Sequence, residues 1–121
     1  MNECIFCKIA NGEIPSKKIY EDDVVIAFLD ISPKVDGHTL IVPKKHVKDF
    51  KELDDKTLLH IYNVSKKLTD LLMQKLNVKA ITLGANYGDS QVVKHFHLHL
   101  LPNFGVKPTK TVDEVYEILT K

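Results

Sequence analysis

The chain has 121 residues, a formal net charge of +1 and 44% hydrophobic residues. That fits one domain spanning 1–121, large enough to build its own core without disulfides. The even charge balance gives no electrostatic footing for nucleic acid or a membrane surface, and no apolar run approaches a membrane span. Met1-Asn2-Glu3-Cys4-Ile5-Phe6-Cys7-Lys8 lacks a basic stretch followed by an apolar one. It therefore reads as no secretory leader, and a cytoplasmic, reducing location is expected.

In chain order, residues 4–11 predict a short helix ended by Gly12 and Pro15. Lys17 to Tyr20 and Val24 to Leu29 predict two strands joined by a tight turn at Glu21-Asp22-Asp23. Residues 30–37 are rich in turn formers, and Thr39-Leu40-Ile41-Val42 predicts a third strand, apolar throughout and so buried on both faces. A long helix is expected over 55–76, with Asp54 or Asp55 as its N-cap and Asn77 beyond its end. Leu58, Ile61, Tyr62, Ser65, Leu68, Leu72 and Leu76 fall on one stripe at helical spacing and read as core; His60 reads as surface. Ala80 to Leu83 and Lys94 to Leu101 predict the fourth and fifth strands. Thr111-Val112-Asp113-Glu114 matches a capping box opening a helix over 112–119. One antiparallel sheet carrying helices on one side is an α+β fold.

The fifth strand holds the most informative pattern, His95-Phe96-His97-Leu98-His99, half of the six histidines on alternate positions. In a strand these three imidazoles share one face, spaced by roughly 7 Å. A single ion rarely collects three ligands from one straight strand, since they diverge along its length. Division of labour fits better: neutral imidazole is a competent nucleophile toward phosphorus near pH 7, and its neighbours can hydrogen-bond phosphoryl oxygens or a leaving group. The other conspicuous pair, Cys4 and Cys7, has the spacing of half a zinc site. A redox pair and two unrelated buried thiols are the alternatives.

His95-Phe96-His97-Leu98-His99-Leu100-Leu101 resembles the motif of the histidine triad superfamily of nucleotide hydrolases and transferases, three histidines alternating with apolar residues. The likeness extends through Cys4-Ile5-Phe6-Cys7-Lys8-Ile9, Gly12-Glu13-Ile14-Pro15, Ala27-Phe28-Leu29-Asp30-Ile31-Ser32-Pro33 and Gly37-His38-Thr39-Leu40-Ile41-Val42-Pro43-Lys44-Lys45-His46, which look like the bacterial, Hint-related branch. The resemblance implies a five-stranded antiparallel sheet with one long and one short helix, and a homodimer.

By position, His97 matches the nucleophile that becomes nucleotidylated, His99 a phosphate-orienting residue, and His38 a fourth histidine of the site. Asp30 matches the acceptor of the ribose hydroxyls, a role suited to a carboxylate. Phe6, Ile9, Phe28 and Ile31 match apolar walls around a purine base, although from the residues alone each fits a core equally well. Asn86 and Gln91 match polar groups near the phosphate. The implied reaction is hydrolysis of a nucleoside monophosphate derivative of the adenosine phosphoramidate type. The alternatives are a dinucleoside polyphosphate hydrolase and a non-catalytic nucleotide-binding or scaffolding protein.

In relatives carrying the cysteine pair, and in the related galactose-phosphate uridylyltransferases, two histidines complete a structural zinc site. Here they are His46 and His95, beside Cys4 and Cys7, which implies one Zn2+ per chain. Three departures stand out, one of them Ser90 where glycine is common in the family. The segment Asn86-Tyr87-Gly88-Asp89-Ser90-Gln91-Val92-Val93 is two residues shorter than usual. Val92 also stands where the Hint proteins have a serine that assists leaving-group protonation.

Overall fold

The computed structural model describes residues 4–121; Met1, Asn2 and Glu3, which open the stretch read as no leader, lie outside the described residues. The elements are α1 (Ile5–Ala10), β1 (Lys18–Glu21), β2 (Val25–Leu29), β3 (Thr39–Pro43), α2 (Asp55–Leu76), β4 (Ile81–Gly84), β5 (Leu98–Pro102) and α3 (Val112–Thr120). A 3-10 turn at Gly88–Ser90 lies between β4 and β5. The strands form one five-stranded sheet in the order β1-β2-β3-β5-β4, with every neighbouring pair antiparallel. This is the expected α+β architecture.

Both faces of the sheet are covered, which corrects the expectation of helices on one side. β2 and β3 are buried at every position, so each face presents apolar side chains that need a cover. Val25, Ala27, Leu29, Ile41, Leu98 and Leu100 pack toward Ile61, Val64, Leu68 and Leu72 of α2 and Val115 and Leu119 of α3. Ile26, Phe28, Leu40 and Val42 pack instead against Phe6 and Ile9 of α1.

The ends of the helices are set locally. Asp54 caps α2 by accepting the Thr57 N–H at 3.1 Å, and Asn77 ends it in the left-handed region with φ 55°. Thr111 and Glu114 cap α3 reciprocally, at 3.0 and 2.8 Å. The α2 stripe needs correction, because Leu58 and Tyr62 are 38% and 50% exposed while Val64 is buried. At 3.6 residues per turn, Leu58 and Tyr62 lie roughly 60° and 100° from Ile61 on one flank and Val64 about 60° on the other. The sheet lies under the second flank. His60 is only half-exposed, and its Nε2 lies 2.8 Å from Asp22 Oδ2. Asp22 also accepts the Val24 and Val25 N–H groups and the Tyr20 hydroxyl, so this contact ties α2 to the β1–β2 turn.

β5 begins at Leu98 rather than Lys94, and the reason lies in its partner. The β3–β5 register pairs Ile41 with Leu98, and its continuation would bring Phe96 opposite Pro43. Proline has no N–H to give a ladder, so pairing stops there. The Phe96 N–H turns to the Val47 carbonyl at 2.6 Å. His95 and His97 thus precede the strand, yet the alternation persists. Phe96 and Leu98 join the α2 core, while the His95 and His97 rings both lie edge-on to Phe6 on the other face.

Candidate active site and metal centre

A cavity of about 590 Å³ opens on the α1 side of the sheet, a size suited to a nucleotide-sized ligand. Nine of the ten candidate catalytic and nucleotide-binding residues line it: Phe6, Ile9, Phe28, Asp30, Ile31, His38, Asn86, His97 and His99. Ile31, 81% exposed, sits at its rim. Gln91 does not line it. That residue is buried, and its Nε2 donates to the Lys48 carbonyl at 2.6 Å, so it braces the 86–91 segment instead of facing a phosphate. Ser90, noted in the sequence only as standing where glycine is common, lines the cavity and accepts from Asn86 Nδ2 at 3.3 Å.

The loop between β2 and β3 delivers Asp30 and His38 together. Gly37 makes this possible: its φ is +86°, and a Cβ there would meet Leu76 Cδ1 at 2.5 Å. The Asp30 N–H then donates to the His38 carbonyl at 2.9 Å. Asp30 Oδ1 accepts the Ser32 N–H at 2.8 Å, and Oδ2 lies 3.6 Å from His38 Nε2. Burial lowers the His38 pKa more than that carboxylate raises it, so the contact is with a neutral ring. Burial likewise holds His95 and His97 below the ordinary imidazole range. His99 is pushed down to about 4, by burial first and then by His97 and His38.

Neutral rings make every tautomer readable from its partner. The Lys34 N–H can only donate, at 3.1 Å, so His38 Nδ1 accepts and the ring proton sits on Nε2. That Nε2–H donates to His99 Nδ1 at 2.9 Å, which leaves the His99 proton on its own Nε2. Among the described residues, His99 Nε2 is the one buried side-chain nitrogen or oxygen with no partner. Leaving such a donor unpaired costs about 1–3 kcal/mol, a cost that a ligand acceptor would remove. His97 Nδ1 donates to the His95 carbonyl at 2.8 Å, so its Nε2 carries the lone pair. Its ring centroid lies 4.9 Å from that of His99.

His95 faces the other way. Its Nε2 donates to the Pro43 carbonyl at 2.7 Å, leaving the Nδ1 lone pair 3.3 Å from Cys4 Sγ and 3.5 Å from Cys7 Sγ. His46 Nδ1 lies 3.3 Å from Cys7 Sγ, and the four donor atoms all fall within 4.8 Å of one another. A tetrahedral zinc with ordinary Zn–S and Zn–N bonds sets sulfur and nitrogen about 3.6 Å apart, so the four residues fit the ion. Burial, reinforced by Cys4, pushes the Cys7 thiol up to about 11, so a cation binding there has to displace its proton. A redox pair or two unrelated thiols would not call for the His95 and His46 Nδ1 atoms beside those sulfurs.

Residues 11–106 match the model of the HIT domain, and the chain belongs to the histidine triad, or HIT, family. It is 47% identical over 103 residues to an uncharacterised HIT-like protein of Methanocaldococcus jannaschii, covering 84% of this chain and 79% of the other. It is 42% identical over 107 residues to the adenosine 5'-monophosphoramidase of Candida albicans, covering 82% of this chain and 69% of that one. Among solved structures, a Zn-bound histidine triad family protein from Mycobacterium smegmatis superposes with a TM-score of 0.89 at 28% identity, covering 98% and 91% of the two chains. Among the described residues, no helix is long and apolar enough to cross a membrane.

Proposed function

We propose that this chain is a cytoplasmic nucleotide hydrolase that cleaves purine nucleoside monophosphate derivatives of the adenosine phosphoramidate type through a covalent nucleotidyl-His97 intermediate. The observation that carries the reading is the unpartnered buried His99 Nε2–H and the free His97 Nε2 lone pair, on two neighbouring rings that line one cavity with Asp30. Asp30 takes the ribose hydroxyls, and Phe6, Ile9, Phe28 and Ile31 wall the base. Asn86 completes the phosphate end.

His97 Nε2 attacks the α-phosphorus. A P–N bond forms, the bond to the leaving group breaks with its electron pair, and the leaving group takes a proton from solvent. The His95 carbonyl, accepting from Nδ1–H, steadies the positive charge that develops on the ring. The His99 Nε2–H stabilises the phosphoryl oxygens. Water then breaks the P–N bond, releasing nucleoside monophosphate and restoring His97. The test is turnover of adenosine phosphoramidate to adenosine monophosphate. Wild-type turnover in His97→Ala contradicts the mechanism.

A dinucleoside polyphosphate substrate is the second reading. It is favoured by Val92, which lines the cavity with 91% of its surface exposed and offers no hydroxyl to protonate a poor amine leaving group. We assign Cys4, Cys7, His46 and His95 to one structural Zn2+ per chain, with four protein ligands and no open position for water. Metal analysis of protein purified without chelator should find about one zinc, lost in Cys4→Ala; finding none contradicts the assignment. A homodimer fits β4, an edge strand with Leu83 exposed, and sedimentation of the full chain as a monomer would contradict it.

A further inference from the structure

The metal centre and the cavity share more than a neighbourhood. α1 has six residues, too few to hold itself in water, and it is capped by Cys4, whose Sγ accepts the Cys7 N–H at 3.4 Å. Between and beyond the two thiols it carries Phe6 and Ile9, both buried and both walls of the cavity. The Phe6 ring stands edge-on to His97 with centroids 4.9 Å apart, and edge-on to Phe28 at 5.6 Å. A ligand set that grips Cys4 and Cys7 therefore grips the wall.

His95 makes the second connection. Its Nδ1 faces the thiols, its Nε2–H is tied to the Pro43 carbonyl, and its own carbonyl receives the His97 Nδ1–H. All three groups belong to one residue, so whatever fixes the His95 ring also fixes the acceptor that sets the His97 tautomer. In metal sites the same logic is familiar in reverse, where a carbonyl behind a ligating imidazole orients the ligand. Here the ligand's carbonyl orients a neighbouring imidazole.

Resting on the functional reading above, we infer that the metal centre is a positioning device for the nucleotide site. Cys4, Cys7 and His46 act through the ion and α1 to place the Phe6 and Ile9 wall, and through His95 to hold the orientation of His97. They touch no substrate.

The experiment compares the zinc-loaded full chain, the same protein stripped by chelator, and the stripped protein refilled with zinc. Adenosine monophosphate affinity is measured by calorimetry, secondary structure by circular dichroism, and the His97 ring by 15N resonance. Stripping is expected to leave the sheet and long helices intact, weaken nucleotide binding by roughly tenfold or more, and replace the single Nδ1–H tautomer by exchange between tautomers. Refilling restores both. Cys7→Ala should reproduce the stripped state, and Cys7→His, which puts a nitrogen ligand in place of the sulfur, should recover metal and affinity together.

A stripped chain that binds adenosine monophosphate within about twofold of the loaded chain, with the His97 resonance unchanged, overturns this inference and leaves the hydrolase reading standing. Loss of secondary structure on stripping also overturns it, in favour of a metal needed only for folding. A zinc-loaded chain that binds no adenosine monophosphate overturns the hydrolase reading, and this inference with it.

Discussion

His95 and His99 sit four residues apart on the same side of the sheet, and burial keeps both rings neutral. At His95 each nitrogen meets a partner: one donates to a carbonyl and the other points its lone pair at two sulfurs. At His99 one nitrogen accepts from His38 and the other is left with a proton and no acceptor. The first arrangement is closed and suits a structural ion. The second is open, and an unpaired donor held in a buried place is a feature that a ligand would complete. His97, between them, has its Nδ1–H anchored at one end and its lone pair open at the other.

The largest way to break this contrast is at its centre. His97→Ala should cut turnover by roughly 10⁴-fold or more while adenosine monophosphate still binds, measured by steady-state kinetics alongside calorimetry. His99→Ala removes the open donor and should cost about 10²-fold in kcat with a smaller change in KM; an unchanged kcat would mean that the unpaired nitrogen is incidental. On the face covered by α2 and α3, Leu72→Ala should lower stability by about 2–5 kcal/mol in urea melts and leave metal content unchanged. Substitutions of this kind separate the faces: chemistry fails on one, folding on the other.

A pH profile sharpens the comparison further. His38, His95, His97 and His99 all have pKa values lowered by burial, His99 to about 4 against an ordinary 6.5. Lowered folded-state values mean that the unfolded chain binds more protons, so stability should fall as pH drops below about 6.5 and level off once pH passes through the folded values. A denaturation midpoint that stays flat between pH 7 and pH 5 would contradict the neutral tautomers on which the site rests. The smallest expected effect is at the rim. Val92→Ser restores a hydroxyl and should raise turnover of a phosphoramidate by a few fold, the worth of about one hydrogen bond. A wild-type chain that already prefers adenosine phosphoramidate strongly over a dinucleoside polyphosphate would count against a cost at Val92.

Much of this was readable from the sequence where local rules decide. Asp54, Asn77 and the Thr111–Glu114 box marked helix ends because capping depends on residues a few positions apart. Alternation in the histidine row marked its two faces, even though Pro43 stops the ladder before two of the three histidines. What escaped depends on partners distant in the chain. Gln91 looked like a phosphate ligand until the Lys48 carbonyl claimed it, and Leu58 looked like core until the sheet proved to lie on the other flank of α2. The Lys34 N–H left no trace in residue type, because any residue but proline supplies one, yet it sets the tautomers of two histidines.

The central claim is that His97 attacks phosphorus. Mixing the zinc-loaded chain with excess adenosine phosphoramidate, quenching within the first turnover and mapping peptides by mass should place an adenylyl group on His97 Nε2, at a level that decays as adenosine monophosphate appears. Turnover with no adduct on His97, or an adduct on another residue that forms and decays at the turnover rate, would contradict the account.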